Sequence, residues 1–538
     1  MTDSPPGPTD ARAPSPARRT RIAVLVGLGG ALLTAALFAA LASRHAFIGD
    51  DAFISFRYAE NLIAGHGLVF NPGERVEGYT NFLWTVLIAA VMAVGLPPEP
   101  LSNALGIAAG AVLLALVARM GARERGWGDP LVWLAPLGLA ANRTFAAWST
   151  GGLETMLFAL LLFAGLARFL EERERDAARP LVSAVLLAAA TLTRPEGGLA
   201  FVLAAAFFAI ETLRSRPRAL RPVLTWGLTY GAIVGAHLAF RIAYYGDFVP
   251  NTFRAKVTGL QWDQAATWFG MYVSDYGAWA YAWLALVPIV VRRDARSTLF
   301  TVFLLTYLAY LGSVGGDIFE FRFLAPLLPF FYWLVQDGVR ALLDAVARTG
   351  VPGAARAILG AALGATLLGL TVQPSLDVEP WRKEGIASIE AVASYAAMRS
   401  NEGKIFRDLV EEGLLDGDEL IAVGGAGALP YYAKLPTLDF RGLNDRKIAR
   451  QAAEGTALGH EKRASMEYLR ERRVVIYDVL NRIVYDRTSP VLGVKTLDRP
   501  PFRGRLHCVE SRGRFLVFAT TLSRNDFQRE FERFRILY

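Results

Sequence analysis

The chain has 538 residues, 53% of them hydrophobic and only 20% charged, with a formal net charge of +8 and a mean hydropathy of +0.31. Soluble domains carry about 25% charged and under half apolar residues. The composition therefore excludes a wholly soluble globule and a disordered chain, and a single cysteine, Cys508, excludes a disulfide scaffold or a multi-cysteine metal site.

Residues 1–21 are rich in Pro, Ser and Ala, carry Arg12, Arg18, Arg19 and Arg21, and read as a disordered cytoplasmic tail. The apolar run 22–43 is long enough to cross a bilayer core of about 30 Å. It is too long for a signal-peptide core and lacks a clear cleavage site, so it is expected to be an uncleaved first helix leading outward. Further apolar stretches follow at 101–118, 131–148, 153–170, 181–193, 198–213, 223–244, 272–291, 299–312, 323–339 and 357–372. The run 81–94 is short for a crossing and fits an interfacial or re-entrant helix.

Arginine placement decides the topology. No lysine precedes Lys256, so the positive charge of the apolar half is arginine, gathered in short loops rather than in a nucleic-acid-binding patch. With 81–94 not crossing, the loops holding Arg119/Arg123/Arg125, Arg173/Arg175/Arg179, Arg214/Arg216/Arg218/Arg221, Arg292/Arg293/Arg296 and Arg340/Arg348/Arg356 all fall in the cytoplasm, as the positive-inside tendency requires. The fold class expected is a polytopic α-helical membrane protein of about eleven transmembrane helices over 22–373. A first outer loop spans 44–100, and a C-terminal soluble α/β domain, 374–538, lies outside the cytoplasmic membrane.

Ionisable groups at membrane depth are costly, so those at the outer loops are candidates for chemistry. The first outer loop opens with Asp50 and Asp51, followed by an amphipathic segment with Phe53, Phe56, Arg57, Tyr58, Glu60 and Leu62. An Asp at that place caps the following helix, or takes the proton of an attacking hydroxyl on a lipid-borne substrate. His66, between Gly65 and Gly67, is more readily a turn residue than a metal ligand. No His/Asp/Glu cluster has metal-ligand spacing, so dependence on a divalent metal stays open and no cofactor is assigned.

An acidic pair just after the first helix, in a long outer loop with an interfacial helix, resembles the GT-C class of integral-membrane glycosyltransferases. The fuller string is Asp50-Asp51-Ala-Phe-Ile-Ser-Phe-Arg57-Tyr58, then Gly65-His66-Gly67-Leu68, then Asn71-Pro-Gly-Glu74-Arg75-Val-Glu77-Gly78-Tyr-Thr. With Leu192-Thr-Arg194-Pro195-Glu196-Gly197, Pro250-Asn251-Thr252-Phe253-Arg254-Ala-Lys256, Gly315-Gly316-Asp317 and Arg322-Phe-Leu-Ala-Pro326, it resembles the mycobacterial terminal β-(1→2)-arabinofuranosyltransferase family and its bacterial relatives. The likeness recurs at Pro430-Tyr431-Tyr432, Asp439-Phe-Arg-Gly442-Leu443-Asn444-Asp445 and Gly459-His460-Glu461-Lys462.

The resemblance implies a sugar carried on a polyprenyl phosphate and a catalytic Asp in the first outer loop, a role that falls on Asp50 or Asp51. It also makes Glu154, at the outer start of a helix, a candidate to orient acceptor or metal. Arg194 is a candidate phosphate clamp, since a guanidinium fork matches phosphate oxygens. Its plainer reading is a pair with Glu196. Arg254 and Lys256 are candidates for the same anion. Arg57, Tyr58, Glu77, Glu196, Asp317 and Arg322 are candidates to position the acceptor, although Asp317 and Arg322 also read as a mutual pair.

In the tail, 420–423, 474–476 and 515–520 read as strands and 404–412 as a helix. Gly424-Gly425-Ala-Gly427 follows a strand but lacks the full dinucleotide fingerprint, so nucleotide binding is set aside. The expected activity is transfer of a sugar, arabinofuranose among the candidates, from the lipid-linked donor to an envelope glycan or lipid acceptor at the outer face of a bacterial cytoplasmic membrane. The alternatives are a lipid-linked precursor transporter, which internal repeats and midplane charges would favour, and a non-catalytic envelope-assembly factor.

Overall fold

The computed structural model describes residues 16–174, 181–215, 220–256, 259–376, 386–413, 415–452, 462–474, 476–479, 482–485, 505–511, 514–520, 523–530 and 535–536. Residues 1–15 of the expected tail, Arg175, Arg179, Arg216, Arg218, His460 and Glu461 lie outside them.

Each of the eleven apolar stretches falls in helical structure. The continuous helices are α1 (Pro16–Arg44), α4 (Pro98–Arg125), α7 (Thr155–Glu174), α8 (Leu181–Thr193), α9 (Gly197–Ser215), α10 (Leu220–Tyr245), α14 (Ala295–Val314), α15 (Leu328–Arg348) and α16 (Gly353–Leu376). Among the described residues, 6 helices are long and apolar enough to cross a membrane on their own: α1, α4, α9, α10, α14 and α16. The chain is a mostly helical, polytopic membrane protein.

Two expected spans are broken for local reasons. The stretch 131–148 becomes a 3-10 turn (Pro130–Trp133), α5 (Leu134–Ala141) and α6 (Arg143–Trp148). Asn142 leaves the helical conformation and its side chain caps α6 by accepting from the Phe145 amide. The stretch 272–291 breaks after α12 (Trp262–Asp275), where Gly277 adopts a left-handed conformation at φ 54°, and reaches α13 (Val287–Val291) through 3-10 turns. The short run 81–94 forms α3 (Phe82–Ala93).

The basic loops gather at one end of the bundle. Arg123 pairs with Glu171, Arg296 with Glu124, Arg125 with Asp344 at 3.3 Å and Arg340 with Glu124 at 3.5 Å. The outer-loop candidates and the soluble domain occupy the other end, joined through α2 (Asp50–Ile63). This helix is amphipathic but almost wholly covered. Phe53 and Phe56 pack on Tyr431 of the soluble domain, and Phe53 also on Tyr432. Ile54, Tyr58, Leu68, Phe70 and Tyr79 share a core with Phe406, Leu409, Ile421 and Leu429.

Among the described residues, the soluble domain pairs α17 (Ile389–Glu411) with a 7-stranded mixed sheet of order β2-β1-β3-β4-β6-β5-β7. The strands are β1 (Ile421–Val423), β2 (Thr437–Asp439), β3 (Ile476–Val479), β4 (Arg482–Tyr485), β5 (Arg505–Ser511), β6 (Arg514–Thr520) and β7 (Arg535–Ile536). Strand β1 runs parallel to both neighbours, β2 and β3. The glycine segment 424–427 therefore leaves the carboxyl end of a parallel strand second from the sheet edge and enters α18 (Ala428–Ala433), where such folds place ligands.

Candidate functional site

Asp50 is the first residue of α2, after Gly49, and its carboxylate also meets the amino end of α18. Its Oδ1 accepts from the Ala428 amide at 2.8 Å, and the Gly427 amide adds a second backbone contact. Two helix amino ends thus converge on one carboxylate, an arrangement that favours negative charge. Only a glycine fits at 427: a Cβ there would lie 1.9 Å from the Asp50 carbonyl oxygen and 2.6 Å from its carboxyl carbon. A Cβ at Gly425 would lie 3.2 Å from Asp50 Oδ2. The glycine segment that resembles a nucleotide loop is, in this fold, the cradle of a carboxylate. Asp50 is 8% exposed. Burial pushes its carboxyl up to about 6, against the opposing pull of the Ala428 amide and the charge of Arg399.

Asp51 points elsewhere, as adjacent helical residues must. Its side chain is 32% exposed, and its Oδ2 accepts from Arg322 Nη1 at 3.2 Å. Arg322 also forks onto Asp317, Nε to Oδ2 at 2.8 Å and Nη2 to Oδ1 at 3.3 Å. Burial pulls the Arg322 guanidinium down, but Asp317 and Asp51 outweigh it and raise it. Arg194 donates to Glu154 Oε1 at 2.8 Å and Glu196 Oε1 at 3.0 Å. Its acids likewise outweigh burial and hold it charged, and it in turn draws the Glu196 carboxyl down against burial. The two guanidiniums share one ring: Arg194 lies 4.6 Å and Arg322 4.8 Å from the centroid of Phe323. Behind them Asn81 donates to Glu154 Oε2 at 2.8 Å and bonds Ser55 of α2 at 3.0 Å. Tyr310 donates to Glu196 Oε1 at 3.2 Å, and among the described residues the buried Glu196 Oε2 has no hydrogen-bond partner.

The structure thus brings together Asp50, Asp51, Glu154, Arg194, Glu196, Asp317 and Arg322. Both plain pairings, Arg194 with Glu196 and Asp317 with Arg322, exist, as parts of this cluster rather than as isolated bridges. Three other candidates are committed to the scaffold. Arg57 donates to the Phe70, Pro430 and Leu435 carbonyls and to Asn71 Oδ1 at 2.7–3.0 Å, which ties α2 to the soluble domain. Burial draws it down to about 10, with Glu60 opposing. The Tyr58 hydroxyl donates to the Val76 carbonyl at 2.7 Å and accepts from the Gly78 amide at 2.8 Å. Glu77 takes a fork from Arg241 at 2.7 and 3.1 Å.

Arg254 and Lys256 stand in α11 (Asn251–Lys256), where Arg254 pairs with Asp247 at 2.7 Å and both side chains are exposed. Arg254 shares Asp247 with Arg450, and its carbonyl accepts from Lys462, so its contacts lie in that loop and the soluble domain rather than in the Arg194–Arg322 cluster. His66 is exposed between two glycines of positive φ, a turn residue. Among the described residues no group of three or more His, Cys, Asp or Glu side chains is arranged to hold a metal ion. Sequence reasoning missed Gly427, Ala428, Asn81 and Phe323 as parts of the site. The glycine segment after a strand was the available signal for the first two, whereas an Asn and a Phe in apolar surroundings carry none.

A family described as a domain of unknown function (DUF8728) matches residues 396–527. The chain is 32% identical over 291 residues to the terminal β-(1→2)-arabinofuranosyltransferase of Mycobacterium tuberculosis, covering 50% of this chain and 42% of that protein. It is 29% identical over 376 residues to the protein of the same name from Corynebacterium glutamicum, covering 57% and 50%. The matched regions thus span about half the length of these relatives or less. The fold is similar to that of ArnT from Cupriavidus metallidurans in two crystal structures. For the undecaprenyl phosphate complex the TM-score is 0.52 at 14% identity, over 93% of this chain and 98% of that one. For the apo state it is 0.54 at 15% identity, over 92% and 97%. Over about half of its length the chain is thus similar to terminal β-(1→2)-arabinofuranosyltransferases, and its membrane fold is similar to that of ArnT.

Proposed function

We propose that the protein is a glycosyltransferase that moves a sugar from a polyprenyl-phosphate donor to an envelope glycan or lipid acceptor. The reaction takes place on the outer face of the cytoplasmic membrane, with eleven crossings, the amino terminus inside and the C-terminal domain outside. The observation that carries the reading is the adjacency of two unlike halves. Asp50, a carboxyl raised toward neutrality by burial, sits at the seam with the soluble domain. One residue on, Asp51 pairs with Arg322, which shares the Phe323 ring with Arg194.

The arginine half suits a lipid-borne phosphate, because both guanidiniums are held charged, stack on Phe323 and can turn N–H groups from their carboxylates to phosphate oxygens. Asp51, Asp317, Glu154 and Glu196 hold those arginines in place while no donor is bound. Asp50 is the base. Its Oδ1 is fixed by backbone amides, and Oδ2 takes the proton of the acceptor hydroxyl as that oxygen bonds to the anomeric carbon. The bond from that carbon to the phosphate oxygen breaks, and its electron pair leaves with the polyprenyl phosphate, whose charge Arg194 and Arg322 offset. A base poised near the working pH is the efficient choice. Asp51, bound to a guanidinium, is the poorer base and acts as a positioning residue. Relatedness to arabinofuranosyltransferases makes arabinofuranose the first sugar to test.

The test is to incubate the purified protein with radiolabelled polyprenyl-phosphate sugars and crude envelope glycan. Incorporation of label with stoichiometric release of polyprenyl phosphate is expected. Movement of intact donor across a vesicle membrane, with no release from any sugar, would instead make the protein a transporter.

A further inference from the structure

The geometry points to a second anion site, for the phosphate of a membrane lipid headgroup, in the cavity between Arg75, Tyr244 and Arg446. This open cavity of about 510 Å³ is lined by Gly73, Arg75 and Val76 of the first outer loop, Tyr244 and Gly246 at the end of α10, and Arg446 of the soluble domain. The Arg75 guanidinium lies over the Tyr244 ring at 4.7 Å, while Phe240 stacks on that ring at 5.2 Å and 17°. The ring is already engaged by a guanidinium and an aromatic partner, which disfavours it as a sugar platform. Stacking occupies the flat face of the guanidinium and leaves its N–H edge free, the geometry in which arginine recognises phosphate.

Arg446 donates to the Arg75 and Tyr245 carbonyls through Nη2 alone. That contact helps neutralise the carbonyl end of α10. The acids nearby are already taken: Glu74 by Arg472, Glu77 by Arg241, Asp247 by Arg254 and Arg450, and Asp445 by Arg472 and Tyr468. Among the described residues neither Arg75 nor Arg446 has a carboxylate partner, so two positive charges border the cavity without compensation. Because the cavity lies where an apolar helix of spanning length ends in two tyrosines, a lipid headgroup is the phosphate source within reach.

The test uses the full chain in phosphatidylcholine nanodiscs, with and without phosphatidylglycerol, comparing wild type with Arg75→Gln, Arg75→Lys and Arg446→Gln. Native mass spectrometry counts retained phosphatidylglycerol, and the donor-site residues are untouched in every variant. Wild type is expected to retain phosphatidylglycerol at least about tenfold more strongly than Arg75→Gln, the factor one charge-assisted hydrogen bond carries, with Arg75→Lys intermediate. A parallel arm adds inorganic phosphate to phosphatidylcholine nanodiscs. Arg75-dependent thermal stabilisation there would assign the site to a free phosphate, whereas its absence beside lipid retention assigns it to a headgroup. Equal phosphatidylglycerol retention by wild type and Arg75→Gln, with no phosphate effect, would overturn the proposal, whatever the sugar-transfer assay shows.

Discussion

Asp50 makes stability depend on pH in a way its amide does not. Its carboxyl ionises at about 6 in the folded protein, against 3.8 for an unburied Asp. Between those values the unfolded chain has lost the proton that the folded one keeps, so stability falls as pH rises. The contribution is complete below about pH 4 and lost above about pH 6. The difference of roughly 2 units corresponds to about 3 kcal/mol. Asp50→Asn keeps an oxygen for the Ala428 amide but binds no proton in this range, so the wild-type advantage over it should shrink by about that amount between pH 4 and pH 7. Asp439, also pushed up to about 6 by burial, is common to both proteins and cancels. Denaturant unfolding of the two proteins in detergent, followed by tryptophan fluorescence at stepped pH, reads the difference directly. A gap that stays constant across this range would refute the placement of a buried carboxyl between the two helix ends.

Three further outcomes follow from the same contacts. Gly427→Ala places a methyl 1.9 Å from the Asp50 carbonyl oxygen and should lower turnover at least about tenfold by displacing the base. Gly369→Ala, with nothing within 4 Å, should leave turnover unchanged. Arg57→Ala strands the Phe70, Pro430 and Leu435 carbonyls and should destabilise the protein by about 1–3 kcal/mol for each one left unpaired. Limited proteolysis should then release the soluble domain, and Arg57→Lys, lacking the fork, should protect it only partly. Arg194→Ala should weaken polyprenyl phosphate binding, with Arg194→Lys restoring part of it. Equal affinity in all three proteins would confine Arg194 to its pairs with Glu154 and Glu196.

The apolar half was legible because hydropathy and arginine placement are local signals. The helix after Asp50 was legible too, since an acidic first turn before an amphipathic run is a start signal. The breaks at Asn142 and Gly277 were not: each sits inside a run that hydropathy reads as continuous. The densest motif, Arg57 to Gly78, read as a site and contains the main joint between the domains. Its recognition partners lie more than 370 positions away, at Pro430 and Leu435, beyond the reach of spacing arguments. The Asp50 cradle was hidden for the same reason. Its two halves are an acid that looks like a cap and a glycine turn that looks like a nucleotide loop, and only the fold joins them. Arg194, Glu196, Asp317 and Arg322 were legible as short-range pairs, whereas their meeting around Phe323 was not.

The division of labour between the two neighbouring acids is the central claim. Its most direct measurement is the turnover of folded Asp50→Asn and Asp51→Asn with a polyprenyl-phosphate sugar that the wild type uses. Asp50→Asn should lose about 10²–10⁴-fold, the usual weight of a general base. Asp51→Asn should lose less in turnover and more in donor affinity, because Arg322 keeps its fork on Asp317. Near-wild-type turnover in Asp50→Asn beside an inactive Asp51→Asn would contradict the assignment and move the base to the Arg322 side of the helix.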